Sequence, residues 1–141
     1  KLGLEQRVQF RGFVPQHELL SYYREATVMV MSSVWPEPFG GAGLEALRYG
    51  LPVVAFDAGG IHEWLTDGYN GFLVPWMDRT QFAARVQELL LDKTTARRLG
   101  ENGRQMARQG HDLGKYFDGL EQALGQVAAQ ARASAAATTT P

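Results

Sequence analysis

Short runs of apolar residues recur along the chain, and longer segments with apolar side chains at helical spacing separate them. Apolar runs without alternation are typical of parallel strands covered on both faces. Strands are predicted at residues 27–32, 52–56 and 71–74, and a short apolar–polar alternation adds one at 8–10. Helices are predicted at residues 16–26, 39–49, 61–65, 79–91, 95–108 and 113–124. Because strands alternate with helices, the pattern predicts an α/β fold with a doubly wound parallel sheet.

The pattern changes near the C-terminus. From Gly125 onward, Ala and Thr predominate and Arg132 is the only charged residue. Such a segment has little apolar surface to bury, so we expect it to be disordered. The sequence therefore predicts one domain at residues 1–124 and an unstructured tail at 125–141.

Composition narrows the function classes. The chain has no cysteine, which excludes disulfides, thiol catalysis and cysteine metal sites. Its net charge of −1 does not favour binding to nucleic acid or anionic lipid. No apolar run approaches the roughly 20 residues of a membrane helix, and no signal-peptide pattern is present. We therefore expect a cytoplasmic protein without a transmembrane segment. Because the sequence opens almost directly on a strand pattern, we also expect a piece of a longer protein.

The segment from Trp35 to Leu47 carries the most specific chemistry. Two glutamates, Glu37 and Glu45, lie eight positions apart with a Pro-Phe-Gly-Gly turn between them. Pro38 suits the first turn of a helix, whose first amides lack intrahelical partners and attract a phosphate. At about 1.5 Å per residue, the two carboxylates are expected about 12 Å apart. A ligand with hydroxyls at both ends and phosphates in the middle fits that spacing, and a nucleotide-sugar is such a ligand.

Four sequence blocks follow one another along the chain. They are Glu-Pro-Phe-Gly at residues 37–40 with Leu-Glu-Ala at 44–46, Gly-Leu-Pro-Val-Val-Ala at 50–55, Gly-Gly with Glu63 at 59–63, and Asp-Gly-Tyr-Asn-Gly-Phe-Leu-Val at 67–74. Together they resemble the donor-binding half of a GT-B glycosyltransferase of the retaining family 4 type (GT4), also described as glycosyl transferases group 1. The resemblance runs from about Val8 to about Arg108. It implies a Rossmann-like domain, the C-terminal half of a GT-B fold, with its ligand at the carboxyl ends of the strands.

The resemblance also assigns roles within the Glu-x7-Glu segment. It implies that Glu45 accepts hydrogen bonds from the ribose hydroxyls of the donor. It implies that Glu37, the candidate catalytic residue, contacts the donor sugar. It further implies that the turn formed by Phe39, Gly40 and Gly41 meets the donor's hydroxyls and phosphate with its amides.

An earlier segment is implied to contact the nucleobase. Gly12, Phe13 and Val14 lie where the backbone of the family meets the base. Because those contacts are made by the main chain, the side chains do not distinguish UDP-, GDP- and ADP-linked donors. A plain turn at the end of a strand accounts for these three residues equally well.

Plainer interpretations stay open for several residues. Glu37 near a helix N-terminus stabilises the helix dipole by about 0.3–1 kcal/mol without any ligand, and a lone helical glutamate such as Glu45 is usually a surface or salt-bridge residue. Gly43 departs from the family, where a larger apolar residue is usual, and either admits a close approach or is merely tolerated. His62 is interpreted as an incidental polar residue. Glu63 suits a structural role as well as a ligand contact.

The resemblance implies a retaining, metal-independent transfer of a sugar from a nucleotide-sugar to an acceptor. The sequence has no Asp-x-Asp motif and no His pair at ligand spacing, so neither a metal nor another cofactor is expected. In this family, the acceptor site and the cations that balance the phosphates come from segments upstream of Lys1, so this piece alone is expected to be inactive. Any association with the inner membrane would also involve that missing lobe. Two alternatives remain, a non-catalytic nucleotide-sugar-binding module and a fragment of a GT-B-fold sugar-nucleotide epimerase.

Overall fold

A computed structural model describes residues 2–110 and 113–138. Its strands are β1 (Met29–Met31), β2 (Val53–Phe56) and β3 (Gly71–Val74). Its helices are α1 (Gln16–Glu25), α2 (Gly41–Arg48), α3 (Arg79–Leu91), α4 (Lys93–Gly110) and α5 (Leu113–Thr138), and a 3₁₀ turn spans Gly60–Glu63. The chain forms two compact units, the first ending at Arg104 and the second beginning at Gln105.

Strand β2 is the centre of a three-stranded parallel sheet with the order β1–β2–β3. Val53 is in register with Met29 of β1 and with Gly71 of β3. All four residues of β2 are buried, as expected for an apolar parallel strand that is covered on both faces. Residue 71 must be a glycine, because a Cβ there would lie 2.1 Å from the carbonyl oxygen of Val53. The prediction of an α/β fold with a parallel sheet is confirmed.

An apolar cluster joins the sheet to helices α3 and α4. The rings of Phe56 and Phe82 lie 4.5 Å apart between centroids and are tilted by 44°. Leu89 of α3 and Leu99 of α4 belong to the same cluster and are fully buried. This cluster holds the end of β2 firmly, and the site loops described below leave the sheet at that end.

Two predicted strands differ in the structure. Residues 8–10 form no strand, and the side chain of Phe10 is 95% exposed. Three residues offer few ladder hydrogen bonds, so they form a strand only where a neighbour pairs with them. Strand β1 is shorter than the predicted 27–32, and its Val30 is 44% exposed. Among the described residues β1 pairs with β2 alone, so it lies at an edge of the described sheet. The exposed side chain of Val30 shows separately that one face of β1 is not fully covered.

The other elements agree with their predicted bounds closely. Strand β3 and helix α3 match residues 71–74 and 79–91, and helix α4 contains the predicted 95–108. Helix α2 is closed by Gly50, whose φ of +78° is the left-handed conformation that ends many helices. The short helix predicted at 61–65 is the 3₁₀ turn Gly60–Glu63.

Helix α5 continues beyond the predicted domain boundary at residue 124 and reaches Thr138. The sequence predicts a disordered tail from residue 125, whereas the described part of that segment is helical; residues 139–141 lie outside the described residues. Alanine has the highest helix propensity, so an Ala-rich segment adopts a helix without burying side chains. The side chains of residues 116–132 are indeed exposed. No helix in the described part of the chain combines the length and apolar character needed to cross a membrane.

Candidate functional site

Two loops meet at the carboxyl end of the sheet. Glu37, in the loop after β1, forms an isolated parallel bridge with Gly59 in the loop after β2, and the amide of Gly60 donates a 2.7 Å hydrogen bond to the Glu37 carbonyl. A Cβ on Gly59 would lie 2.1 Å from that carbonyl oxygen, and a Cβ on Gly60 would lie 2.3 Å from the carbonyl of Pro38. The Gly-Gly pair therefore lets the second loop fix the backbone of the candidate catalytic residue.

The turn that follows Glu37 rests on buried side chains. The indole Nε1 of Trp64 donates a 2.5 Å hydrogen bond to the carbonyl of Phe39, and Trp64 is 2% exposed. Gly40 has a φ of +73°, and a Cβ there would lie 2.3 Å from Cδ1 of Ile61. The left-handed backbone favours glycine at this position, and the close contact leaves little room for a side chain. Buried side chains of the core therefore contact this turn and restrict its conformation.

The structure decides between the two interpretations of Gly43. A Cβ at this position would lie 2.3 Å from Cη2 of Trp64 and 2.5 Å from Sδ of Met31. Gly43 is therefore a close-approach glycine, because the Trp64 ring packs directly against the backbone of helix α2. The larger residue that is usual in the family and the indole at position 64 exclude each other sterically here.

Helix α2 begins at Gly41, with Gly40 as its N-cap and without a side-chain cap hydrogen bond. The prediction that Pro38 occupies the first turn is wrong, since Pro38 lies three residues before the helix. The neighbouring Glu37 has an extended backbone that pairs with the loop after β2. The helix begins only after Gly40, whose left-handed conformation changes the chain direction. The first amides of α2, those of Gly41 and Ala42, have no intrahelical acceptor. A Cβ on Gly41 would meet no atom within 4 Å, so a ligand can approach the backbone there.

Glu45 lies one turn further along α2 and is half-buried. The hydroxyl of Tyr23 on α1 donates to Glu45 Oε2 at 3.4 Å. The Tyr23 ring stacks on Tyr49 with 5.4 Å between centroids and 14° between planes. Burial raises the pKa of Tyr23, and the nearby Glu45 carboxylate raises it further. At neutral pH the phenol therefore keeps its proton and acts as a hydrogen-bond donor.

The predicted nucleobase segment precedes helix α1 and is largely exposed. Gly12 has a φ of +63° and open space around it, and the side chain of Phe13 is 93% exposed. Val14 is half-buried just before α1. The role of these three residues in base binding stays a prediction. The structure brings together Glu37, the turn at residues 39–41 and the loop at 59–60, and it places Glu45 against Tyr23.

Sequence reasoning missed three contributors to this site. Trp64 supports the turn, Tyr23 contacts Glu45, and Asp57 pairs with His62 through a 3.2 Å contact between Oδ1 and Nδ1. Each contact joins residues from different elements or loops, so no local periodicity indicates it. The Gly-Gly pair at residues 59–60, four residues before Trp64, was the available signal. Among the described residues, no three His, Cys, Asp or Glu side chains are grouped as a metal site.

Comparison with known sequences identifies the family of this chain. A family model described as glycosyl transferases group 1 matches residues 1–106. A D-inositol 3-phosphate glycosyltransferase from Streptomyces bingchenggensis is 37% identical over 100 residues, which are 71% of this chain and 22% of that protein. Spore coat protein SA from Bacillus subtilis is 33% identical over 109 residues, covering 75% of this chain and 29% of that protein. The chain spans less than a third of the length of either relative.

Solved structures with similar folds are longer proteins as well. The Anabaena protein HepE, solved in complex with UDP-glucose, superposes with a TM-score of 0.82 at 30% identity and covers 89% of this chain and 34% of that chain. Sucrose-phosphate synthase from Thermosynechococcus elongatus gives a TM-score of 0.77 at 34% identity, covering 93% of this chain and 32% of that chain. The C-terminal domain of a glycosyl transferase group 1 protein from Francisella tularensis gives 0.70 at 30% identity, covering 78% of this chain and 56% of that chain.

Proposed function

This chain belongs to the glycosyl transferases group 1 family, and on that premise we propose that it is the donor-binding lobe of a retaining, metal-independent glycosyltransferase. Its fold is that of the Rossmann-like C-terminal half of a GT-B enzyme, as the sequence motifs predicted. The full-length protein transfers a sugar from a nucleotide-sugar to an acceptor. The acceptor is bound by a second lobe that this chain does not contain.

One observation carries the proposal: at the carboxyl end of the sheet, the loop after β2 is bonded to the segment that contains Glu37 and leads into the first amides of α2. The Glu37 backbone is bonded to Gly59 and Gly60, and the turn before α2 is bonded to Trp64. A site fixed in this way loses little conformational entropy when it binds an anion. We assign the donor phosphates to the amides of residues 39–41, the donor sugar to Glu37 and the ribose hydroxyls to Glu45.

The chemistry requires charge stabilisation of a leaving nucleoside diphosphate. The bond between the anomeric carbon and the phosphate oxygen breaks, and the acceptor oxygen bonds to the same face of that carbon, so the configuration is retained. Attack from that face places the acceptor hydroxyl beside the departing phosphate oxygen, which accepts the proton. Helix amides stabilise the developing negative charge, and cations from the second lobe complete this role. Glu37 stabilises the positive charge that develops on the sugar ring.

Uridine diphosphate is the nucleotide to test first, because the HepE structures of similar fold contain UDP, UDP with glucose, or UDP-glucose. The test is a calorimetric and thermal-shift panel of UDP, GDP, ADP and their glucose conjugates on the full-length protein. A nucleotide at about 100 times its dissociation constant adds roughly 2.7 kcal/mol to the free energy of unfolding. Glu45→Ala is expected to abolish that gain, whereas Glu121→Ala, at an exposed position of α5, is expected to retain it.

Together with an assay of sugar transfer by the full-length protein, this panel tests the alternative of a binding module. Binding without transfer to any acceptor would support the non-catalytic binding module. Loss of binding in both glutamate variants, or in neither, would contradict the assigned site. Metal independence is tested on the same protein: transfer in excess EDTA should equal transfer in magnesium, and a loss that magnesium restores would refute it.

A further inference from the structure

Glu45 has an unusual environment for the carboxylate of a helix. It lies on α2 between Leu44 and Ala46, which are both buried, and is itself half-buried. None of the ion pairs formed by the described residues includes Glu45. Its hydrogen-bond partner there is the Tyr23 hydroxyl, 3.4 Å from Oε2. A neutral donor therefore occupies the place in which a helical glutamate usually has a Lys or Arg.

Tyr23 is itself held in place by the same two helices. Its ring stacks on Tyr49, which directly follows α2 and lies one turn beyond Glu45. The near-parallel stack favours this direction of the phenol, since stacked aromatic rings attract each other. The Tyr23 side chain on α1 therefore contacts two residues at and near the C-terminal part of α2, Glu45 through its hydroxyl and Tyr49 through its ring.

We propose that Tyr23 is a positioning residue for donor binding, which orients the Glu45 carboxylate so that its second oxygen faces the ribose hydroxyls of the nucleotide. The inference rests on the proposed function, because it needs Glu45 to be the ribose contact. It adds a residue, a specific atom and a specific role: the Tyr23 hydroxyl acts through Glu45 Oε2 and leaves Oε1 to the ligand.

The chemistry of the pair suits this role. An ionised carboxylate has about four lone-pair sites, and Tyr23 uses one of them. A Lys or Arg in place of Tyr23 would form an ion pair with the carboxylate. The ribose hydroxyls would then have to compete with that cation for Glu45. The phenol donates without neutralising the charge, and a separation of 3.4 Å is long for such a bond. Glu45 therefore keeps nearly all of its acceptor strength.

The phenol also stays a donor over a wide pH range. Burial and the adjacent carboxylate both raise the pKa of Tyr23 above its ordinary value. Deprotonation would place two negative charges at the ribose site, and the raised pKa prevents this at the pH at which enzymes work.

The experiment removes only the hydroxyl. Tyr23→Phe keeps the ring that stacks on Tyr49, so the fold is retained. Tyr22→Phe is the matched control, because Tyr22 is the neighbouring tyrosine of α1 and its ring faces Arg11 at 5.8 Å instead of Glu45. Binding of UDP and of 2′,3′-dideoxy-UDP to the full-length protein is measured by calorimetry. If the nucleotide panel described above shows that the protein binds GDP or ADP instead of UDP, that nucleotide and its dideoxy analogue are used.

Tyr23→Phe is expected to weaken UDP about five-fold and to leave dideoxy-UDP within two-fold of the unaltered protein. A five-fold loss corresponds to about 1 kcal/mol, since a factor of ten is about 1.4 kcal/mol. Tyr22→Phe should change neither ligand, and Glu45→Ala should remove the difference between the two ligands. In turnover assays, Tyr23→Phe should raise the donor KM with little change in kcat.

Each other outcome counts against a definite part of the reasoning. If Tyr23→Phe weakens both ligands equally, or neither, the positioning role is refuted while the proposed function stands. If Glu45→Ala still prefers UDP to its dideoxy analogue, Glu45 does not bind the ribose hydroxyls. The positioning role of Tyr23 is then refuted as well. If no nucleoside diphosphate binds, the proposed function itself is refuted.

Discussion

Replacing Gly43 by alanine is expected to destabilise this protein, although alanine is the better helix former. Gly43 lies inside helix α2, where propensity alone favours alanine over glycine by about 1 kcal/mol. A Cβ at this position, however, would lie 2.3 Å from Cη2 and 3.0 Å from Cζ2 of Trp64, and 2.5 Å from Sδ of Met31. Propensity and packing therefore predict opposite signs, and the sign of the measured change distinguishes them.

The magnitude follows from the displacement that the methyl group requires. Carbon atoms in contact lie about 3.5–4.0 Å apart, so the Trp64 ring has to move by more than an ångström. Overpacking of this kind costs about 1–3 kcal/mol. With the gain in propensity of about 1 kcal/mol subtracted, Gly43→Ala is expected to lose up to about 2 kcal/mol. Movement of the ring would also disturb the hydrogen bond from Trp64 Nε1 to the Phe39 carbonyl. Because the turn at residues 39–41 is assigned to the donor phosphates, nucleotide affinity should fall as well.

The assay compares Gly43→Ala with Gly41→Ala by thermal unfolding of the full-length protein. Both residues belong to α2, but a Cβ on Gly41 meets no atom within 4 Å, so this control reports propensity without a clash. Gly41→Ala should match or exceed the unaltered protein in Tm, and Gly43→Ala should unfold several degrees lower. In a Trp64→Phe background the cost of Gly43→Ala should shrink, because the smaller ring leaves room. If Gly43→Ala is at least as stable as Gly41→Ala, the inferred contact with Trp64 is wrong.

Three further changes test other parts of the structure. Gly59→Ala should lose about 2–6 kcal/mol and most donor binding, because a Cβ would overlap the Glu37 backbone and the φ of +68° is strained for alanine. Asn70→Ala should lose about 2–4 kcal/mol in urea titration, because the buried amide bonds one backbone N–H and one backbone carbonyl that would lose their partners. A hydrogen bond from the backbone amide of Thr95 lowers the pKa of Asp92 in the folded protein. The ionised Asp92 therefore stabilises the fold at pH values above its unfolded pKa of about 3.9. This contribution is lost as the pH falls through the lower pKa of the folded protein. The Tm of Asp92→Asn should therefore fall less than that of the unaltered protein when the pH is lowered from neutral to below about 3.9.

Each of these changes has a control or an opposing result. Gly68→Ala also has a positive φ, of +71°, but no atom lies near its Cβ, so it should retain donor binding where Gly59→Ala does not. Asn102→Ala removes an amide bond to the Tyr69 carbonyl at an exposed position and should cost less than Asn70→Ala. An equal acid-induced fall in Tm for Asp92→Asn and the unaltered protein would show that ionisation of Asp92 contributes nothing to stability.

Local signals account for the elements that were predicted well. Helix α3 begins where Asp78 accepts a hydrogen bond from the amide of Gln81, and such a cap is visible in the sequence. Helix α2 ends at a glycine in the left-handed conformation, which the sequence also indicates. Strand β2 is an apolar run bounded by a proline and an aspartate. In each case, residues within a few positions of the element determine its bounds.

Pairing across long distances decided the rest of the fold. Residues 8–10 have a strand-like alternation but form no strand, and Val30 is 44% exposed although β1 is an apolar strand. Whether an apolar run is covered on both faces depends on its neighbours, which its own sequence does not encode. For the Ala-rich segment after residue 124, the sequence suggested disorder, while its helix propensity gave a helix.

The sequence by itself determined the family, the parallel α/β architecture and the segment that carries the candidate site, because motif order and apolar periodicity are properties of the chain alone. Only the tertiary structure decided how that site is held. The bridge from Glu37 to Gly59, the Trp64 ring against Gly43, and the Tyr23 hydroxyl beside Glu45 join residues about 20 positions apart. Contacts of this kind depend on how strands and helices pack, and packing is set by the whole fold.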